Sequence, residues 1–287
     1  MRFSIVTPSF EQSQWLRLCV ASVADQGVEH EHIVQDAGSK DGTLGWLTTD
    51  ARVRAFVEPD AGMYDAINRG LRRATGDVLS YLNCDEQYLP GALAAVGAFF
   101  STHPEVEVVF ADTVVVDAEG GYLCHRRASV PQKHHSWVSG NLAILTCAAF
   151  FRRRLIEQRG LFFDASLRDV ADAMWVLRLI EERVPMAVLP RITSSFTDTG
   201  DNMNLKPNAQ REKREMLARA PAWARRARPL IVAHYRLRRL LAGHYWQAPF
   251  EFTLYTRTSP AARVPRRVDQ PQFRWRHQPV SPLSAGE

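Results

Sequence analysis

The chain has 287 residues, 46% hydrophobic and 10% aromatic, enough for one large globular domain with an appendage, which excludes a disordered chain. Its net charge of +5 hides an asymmetry: residues 206–287 hold 17 Lys or Arg against five Asp or Glu, and residues 1–205 hold 19 against 26. Such segregation describes an acidic body with a basic appendage and a boundary near Lys206, and excludes a uniformly cationic protein.

Cys19, Cys84, Cys124 and Cys147 have no metal-ligand spacing and read as reduced thiols. The start MRFSIVTPSF passes from one Arg directly into a strand-like run, unlike a signal peptide, and no apolar stretch reaches bilayer length. A cytoplasmic protein, at most peripheral at the inner face of the membrane, is the expectation.

In chain order, strand-like runs fall at 3–7, 32–37, 55–58, 77–83 and 106–116. Helical patterns lie between most of them. Trp15, Leu18, Ser22 and Val23 share one face, as do Tyr64, Ile67, Leu71 and Ala74. Alternating strands and helices predict an α/β fold with a mostly parallel sheet and a ligand site at the carboxyl ends of its strands. No GxGxxG follows the first strand, which disfavours a nicotinamide dehydrogenase.

Four polar strand ends would meet at that edge: TPSFE (7–11), QDAGSKDGT (35–43), EPDAGMYDAIN (58–68) and NCDE (83–86). In the second, Asp36 ends an apolar strand, Gly38 and Gly42 allow a turn, and Asp41 with Thr43 can cap a helix. That describes either a plain connection or a carboxylate offered to a base or ribose. In the third, Asp65 and Asn68 fall on neighbouring positions of one polar helix face; Asp65 suits the helix dipole, whereas Asn has poor helix propensity. In the fourth, Asn83, Asp85 and Glu86 cluster oxygens that suit a hard divalent cation with a diphosphate, or simply a capped turn.

Taken together, TPSF, SVADQ (22–26), HIVQDAGSKDGT, EPDAGMYDAINRGLRRATGD and YLNCDE resemble, in order and spacing, the motifs of family 2 glycosyltransferases with a GT-A fold. The resemblance covers about residues 1–200 and implies a catalytic domain over 1–205 with a basic, helical then irregular extension over 206–287. It implies that Thr7, Pro8, Ser9 and Phe10 line a nucleotide pocket and that Asp36 recognises the base. Gly62, Tyr64, Asp65 and Asn68 would belong to the donor side. Asn83-Cys84-Asp85 would occupy the DxD position, with Asp85 and Asn83 as ligands of Mn2+ or Mg2+. Asn83 replaces the family's first acidic residue, which removes one negative charge.

FDASLRDVADAMWVLRLIEE (163–182) resembles the acceptor-side segment that carries the catalytic base, at Asp172 here. A helix start with Asp169 as N-cap and Asp172 three residues on explains the same pattern without chemistry. Ala171, Met174 and Leu145-Thr146-Cys147 depart from the residues usual in relatives. The implied reaction is an inverting single displacement from a nucleotide-diphosphate sugar, UDP being the expected nucleotide. The acceptor is expected to be a glycan or lipid-linked hydroxyl.

SSFTDTGDNMN (194–204) reads as a mobile loop or a solvated linker. Beyond it, 209–220 and 230–246 read as helices broken at Pro221 and Pro229, whose basic amphipathic faces suit an anionic membrane surface or plain solvent. Residues 257–278 read as an irregular strap. Trp246, Phe273 and Trp275 in a basic tail suit nucleic acid, yet that reading leaves the acidic body unexplained, so no nucleic-acid partner is expected. A sugar-nucleotide sensor would keep Asp36 and Asp85 but have no use for Asp172.

Overall fold

In the computed structural model, which describes residues 1–139, 142–200 and 207–275, the first strand, β1 (Phe3–Ser9), is buried along its whole length. Its neighbours explain why. After α1 (Ser13–Ala24), β2 (His30–Asp36) pairs with β1 in parallel from Phe3↔His30 to Ser9↔Asp36. A short turn of helix, α2 (Leu44–Leu47), leads to β3 (Arg54–Val57), parallel to β2. The amphipathic α3 (Met63–Arg73) then returns the chain to β4 (Val78–Tyr81), parallel to β1 on its other side. Strands covered on both faces need apolar side chains on both, hence the continuous runs FSIVT and VLSY.

The parallel expectation holds across β3-β2-β1-β4, and the rest of the sheet is mixed. After β5 (Gln87–Tyr88) and α4 (Ala92–Thr102) come the long β6 (Val108–Asp117), β7 (Tyr122–Arg126) and α5 (Lys133–Ser139). β8 (Ala149–Arg152) inserts antiparallel between β4 and β6. The short α6 (Arg154–Glu157) and α7 (Ala171–Glu181) precede β9 (Met186–Asp198), which lies parallel to β6 and carries β5 on its far side. The sheet order is β3-β2-β1-β4-β8-β6-β9-β5, with β7 on β6.

One face of the sheet buries Val6, Ile33, Tyr81, Phe110 and Phe151 against α3 and α7. The other buries Phe3, Ile5, Val109 and Phe150 against α1 and α4. α3 lies so close to β1 that a Cβ on Gly70 would stand 2.4 Å from Val6 Cγ1.

The extension forms α8 (Pro207–Arg219), α9 (Ala222–Arg226) and α10 (Arg228–Leu241), broken at Pro221 and with Pro229 in the first turn of α10. Leu217, Ala220, Ala224 and Ile231 pack against Trp137 and Val138 of α5. The strap expected over 257–278 is corrected in part. β10 (Phe250–Thr256) and β11 (Ser259–Val268) form an antiparallel hairpin that seats Phe252, Leu254 and Val268 on Leu89, Val114 and Val116. Pro260 and Pro265 concealed the strand, because proline is tolerated at a sheet edge but reads as a breaker. The loop expected over 194–204 is likewise strand as far as Asp198, while Asp201, Asn202, Asn204 and Arg276 lie outside the described residues.

Adding a methyl at Gly70 overpacks the β1–α3 contact by about 1–3 kcal/mol, offset by at most about 1 kcal/mol of helix propensity. Chemical denaturation of Gly70→Ala is expected to show net destabilisation. Combining it with Val6→Ala is expected to cost less than the sum of the two single changes.

Candidate functional site

Because β1 to β4 run in parallel, the loops after them share one edge, and hydrogen bonds tie those loops together. The Asp36 carboxylate is fully buried. Its Oδ1 accepts from the Gly38 and Ser39 amides at 2.9 and 2.7 Å, and its Oδ2 from the Ser9 and Ser39 hydroxyls at 2.8 Å each. A carboxylate has about four acceptor sites, so Asp36 is saturated. Asp36 locks the loop after β1 to the loop after β2. Cys84 Sγ donates to the Pro8 carbonyl at 3.3 Å and fastens the loop after β4 to the same point.

The TPSF residues divide accordingly. Thr7 is buried with its hydroxyl 2.9 Å from His32 Nε2, Pro8 is buried, and Ser9 is engaged by Asp36. Phe10 alone projects, 57% exposed. Burial of β1 on both faces turns the first three side chains inward.

At the start of α3, Gly62 has φ +129°, a conformation open to glycine. Asp65 accepts the Ala61 amide and pairs with Arg69 at 2.8 Å, so it serves the helix end. Asn68 is buried; it donates to the Phe163 carbonyl at 2.8 Å and accepts from the Phe163 amide at 3.0 Å. Both ends of its amide are engaged there. Asn68 pins the segment before α7 to α3.

The NCDE turn carries the strongest charge perturbation of the edge. Glu86 is buried; its Oε2 accepts the Asn83 amide at 2.7 Å, and its own amide donates to the Asn83 carbonyl at 3.1 Å. Burial raises the Asp85 and Glu86 carboxyls above the ordinary range, and the Asp85 charge raises Glu86 further. Asn83 Oδ1 is buried with no hydrogen-bond partner. An orphaned oxygen beside a destabilised carboxylate fits a hard divalent cation, which would satisfy both. Among the described residues no group of three or more His, Cys, Asp or Glu is placed to hold a metal. A cation here would therefore depend on diphosphate oxygens and water for its remaining ligands.

Asp172 lies in the first turn of α7, on the face of the sheet covered by α3. Burial pushes its carboxyl up to about 6, against the lowering effects of the Ala173 amide, Lys213 and the Tyr64 hydroxyl. Tyr64 and Tyr81 both feel its charge, and both rings pack on Phe163, at 5.7 and 5.4 Å. Glu86 feels the same charge. Asp172 thus lies within electrostatic reach of Glu86 in the NCDE turn.

Asp169 is not the N-cap of α7. Val170 holds that position without a side-chain cap, and Asn208 of α8 donates to Asp169 Oδ2. Glu212 of α8, itself buried, accepts the Arg168, Asp169 and Val170 amides at 3.1, 2.9 and 3.2 Å. The amides of the segment that leads into α7 are thus answered from the basic extension. Burial raises the Glu212 carboxyl, yet these amides and Asn208 outweigh it and hold it below the ordinary range. Glu212 and Lys213 are the site residues that sequence reasoning missed, since a hydrogen-bond partner supplied from more than 40 residues away leaves no local pattern.

The fold is shared with solved glycosyltransferases. S. aureus TarS 1-349 in complex with UDP-GlcNAc aligns with TM-score 0.57 at 18% identity over 77% of this chain and 67% of that one. The mannosyltransferase PcManGT from Pyrobaculum calidifontis in complex with GDP-Man and Mn2+ aligns with TM-score 0.53 at 18% identity over 74% and 60%. The architecture is the GT-A fold. Residues 4–160 match the family model of glycosyl transferase family 2, and the chain belongs to that family. A PGL/p-HBAD biosynthesis glycosyltransferase of Mycobacterium tuberculosis is 34% identical over 120 residues, 39% of this chain and 47% of its own. The match thus spans about half the length of that relative. An uncharacterized glycosyltransferase of the same species is 29% identical over 212 residues, 72% of this chain and 79% of its own.

Replacing Glu212 by Gln weakens its hold on the amides that lead into α7 and is expected to cost about 1–3 kcal/mol in thermal or chemical denaturation. A carboxyl held below its ordinary value of 4.5 stabilises the fold above that pH and loses its contribution as the pH falls through the folded value. Glu212→Gln is therefore expected to flatten part of the acid limb of the stability profile.

Proposed function

We propose that this chain is an inverting glycosyltransferase that moves a sugar from a nucleotide-diphosphate donor to an acceptor hydroxyl, with Asp172 as the base. The observation that carries the reading is the half-buried Asp172 carboxyl, raised to about 6 and within electrostatic reach of Glu86 in the NCDE turn. A carboxyl in that range is ionised at neutral pH yet basic enough to take a hydroxyl proton as the bond to the sugar forms. The Tyr64 hydroxyl and Lys213 hold its negative form in place.

Asp85 and Asn83 Oδ1 would hold Mn2+ or Mg2+, whose chemistry when bound is neutralisation of charge on the departing nucleoside diphosphate. Asp36 and Cys84 act on the donor indirectly, by fixing the loops that form the edge. Phe10, at the rim, offers a ring face to a base. UDP is the proposed nucleotide, supported by the UDP-GlcNAc complex of TarS, with GDP the competitor raised by the mannosyltransferase complex.

A lipid-linked acceptor at the inner face of the membrane is supported by α9 and α10. Trp223, Leu230, Leu237 and Leu241 are exposed there among arginines, while no helix of the described residues is long and apolar enough to cross a membrane. α8 leaves this surface, since Ala209, Glu212 and Met216 are buried against the body, so the proposed membrane face narrows from 209–246 to the stretch from Ala222 onward. The aromatics that suggested nucleic acid are partly accounted for: Trp275 donates to Asp198 and packs on Phe196, and Phe273 packs on Tyr245.

A thermal-shift panel of UDP-, GDP- and dTDP-sugars with and without Mn2+ tests the reading. Metal-dependent stabilisation by one nucleotide class is expected, lost in Asp85→Ala and kept in Asp172→Asn, with turnover in Asp172→Asn reduced about 10²–10⁴-fold. Donor binding without any turnover on a broad acceptor panel would favour a sensor. The base works deprotonated, so kcat/KM is expected to fall about tenfold per pH unit below about 6 and to level off above it.

A further inference from the structure

Among the described residues, β7, α5 and α10 gather basic side chains with little acid to answer them. Arg126 ends β7, His135 lies in α5, and Tyr235 and Arg239 are one turn apart on α10. The His135 ring stacks on Tyr235 at 3.6 Å between centroids. The Arg239 guanidinium lies 5.9 Å from the Tyr235 ring and 5.4 Å from that of Tyr245. Arg126 feels the charges of Arg239 and Tyr235, and His244 those of Arg239 and Arg127.

His135 and His244 are 5% and 8% exposed, and the Nδ1 of each is buried with no hydrogen-bond partner, as is Nε of Arg239. The nearby carboxylate, Asp112, is already engaged by His125 at 3.2 Å, the Ala128 amide at 2.8 Å and Arg127 at 3.8 Å. Burial and the Arg239 charge hold both histidines down to about 4. Stacking on tyrosine orients Arg239 but leaves its charge uncompensated, and buried polar atoms without partners are costly.

A phosphoryl group would supply what is missing, since its oxygens accept from guanidinium forks and from imidazole N–H together. Next to the cluster, α5 and α10 enclose a groove of about 310 Å³ lined by Lys133, His134, His135, Leu230, Ile231 and His234. One wall is polar, with His134, His135 and Lys133, which pairs with Glu181 at 3.5 Å; the other, Leu230 and Ile231 beside His234, is mainly aliphatic and continues into the exposed Leu237 and Leu241. Both walls thus match an amphiphile, charged at one end and apolar at the other.

We propose that Arg126, His135, Tyr235 and Arg239 form a subsite for the phosphoryl head group of a lipid-linked acceptor, whose hydrocarbon chain begins in the groove between α5 and α10. Its description as an acceptor site rests on the glycosyltransferase reading; the phosphoryl-lipid site itself does not.

Calorimetry on the full chain tests this with farnesyl diphosphate as probe, against inorganic pyrophosphate, which lacks the tail, and farnesol, which lacks the charge. Farnesyl diphosphate is expected to bind more tightly than either. Arg126→Gln/Arg239→Gln is expected to weaken it by about tenfold or more. The charge-matched control Arg214→Gln/Arg219→Gln, on the exposed side of α8, is expected to change it less than about threefold. Arg126→Lys/Arg239→Lys, which keeps the charge but loses the fork, is expected to fall between.

Equal weakening by both Gln pairs, or no binding by the wild type, overturns the subsite. Pyrophosphate binding as tight as farnesyl diphosphate overturns the lipid assignment in favour of a free-phosphate site. The UDP and Mn2+ thermal shift, measured on the same variants, separates the two readings. If no donor stabilises the wild type while the farnesyl diphosphate pattern holds, the glycosyltransferase reading falls and the phosphoryl-lipid site stands.

Discussion

The candidate site depends on the buried carboxylate of Asp36. Four hydrogen bonds from two loops converge on it at the point where β1 and β2 end side by side, with Ser9 in register with Asp36. Because Cys84 ties the next loop to Pro8, three connections are fastened to one another before any ligand arrives. A charge buried so deeply persists because every acceptor position is filled. Such a group makes the edge rigid at the expense of its own availability, and the work of contacting a ligand passes to groups beside it.

A comparable device serves Asp172. The segment entering α7 is fastened through its amides to Glu212 of α8. The neighbouring Lys213 reaches the field of Asp172, so one turn of the extension both holds the candidate base and tunes it. The hairpin repeats this relation on the far side, where Arg263 pairs with Asp25 at 2.6 Å and Gln87 bonds to Tyr255. The charge asymmetry of the chain is thereby explained at two places: basic and acidic halves meet, and the extension is part of the structure that carries the site.

Burial sets the electrostatics of both groups. The same desolvation that raises Asp85 and Glu86 raises Asp172. A cation can relieve the first pair, and Lys213 and Tyr64 relieve the second group. Two carboxylate sites with different counterparts are suited to different roles.

The sequence by itself determined the strands, the stripe of α3 and the gathering of polar loops at one edge, because these follow from periodicity and from short-range turn chemistry. It also held the family motifs in order. Which of those polar residues remain available was decided only by the tertiary structure. Asp36 and Asn68 look alike as strand-end and helix-face candidates, yet both are fully engaged, Asn68 by Phe163, 95 residues away. Glu212 looks like one charge in a basic helix, and it fastens the segment entering a helix 42 to 44 residues upstream. A side chain's role depends on which partner satisfies it, and here the deciding partners are brought close by folding, not by spacing along the chain.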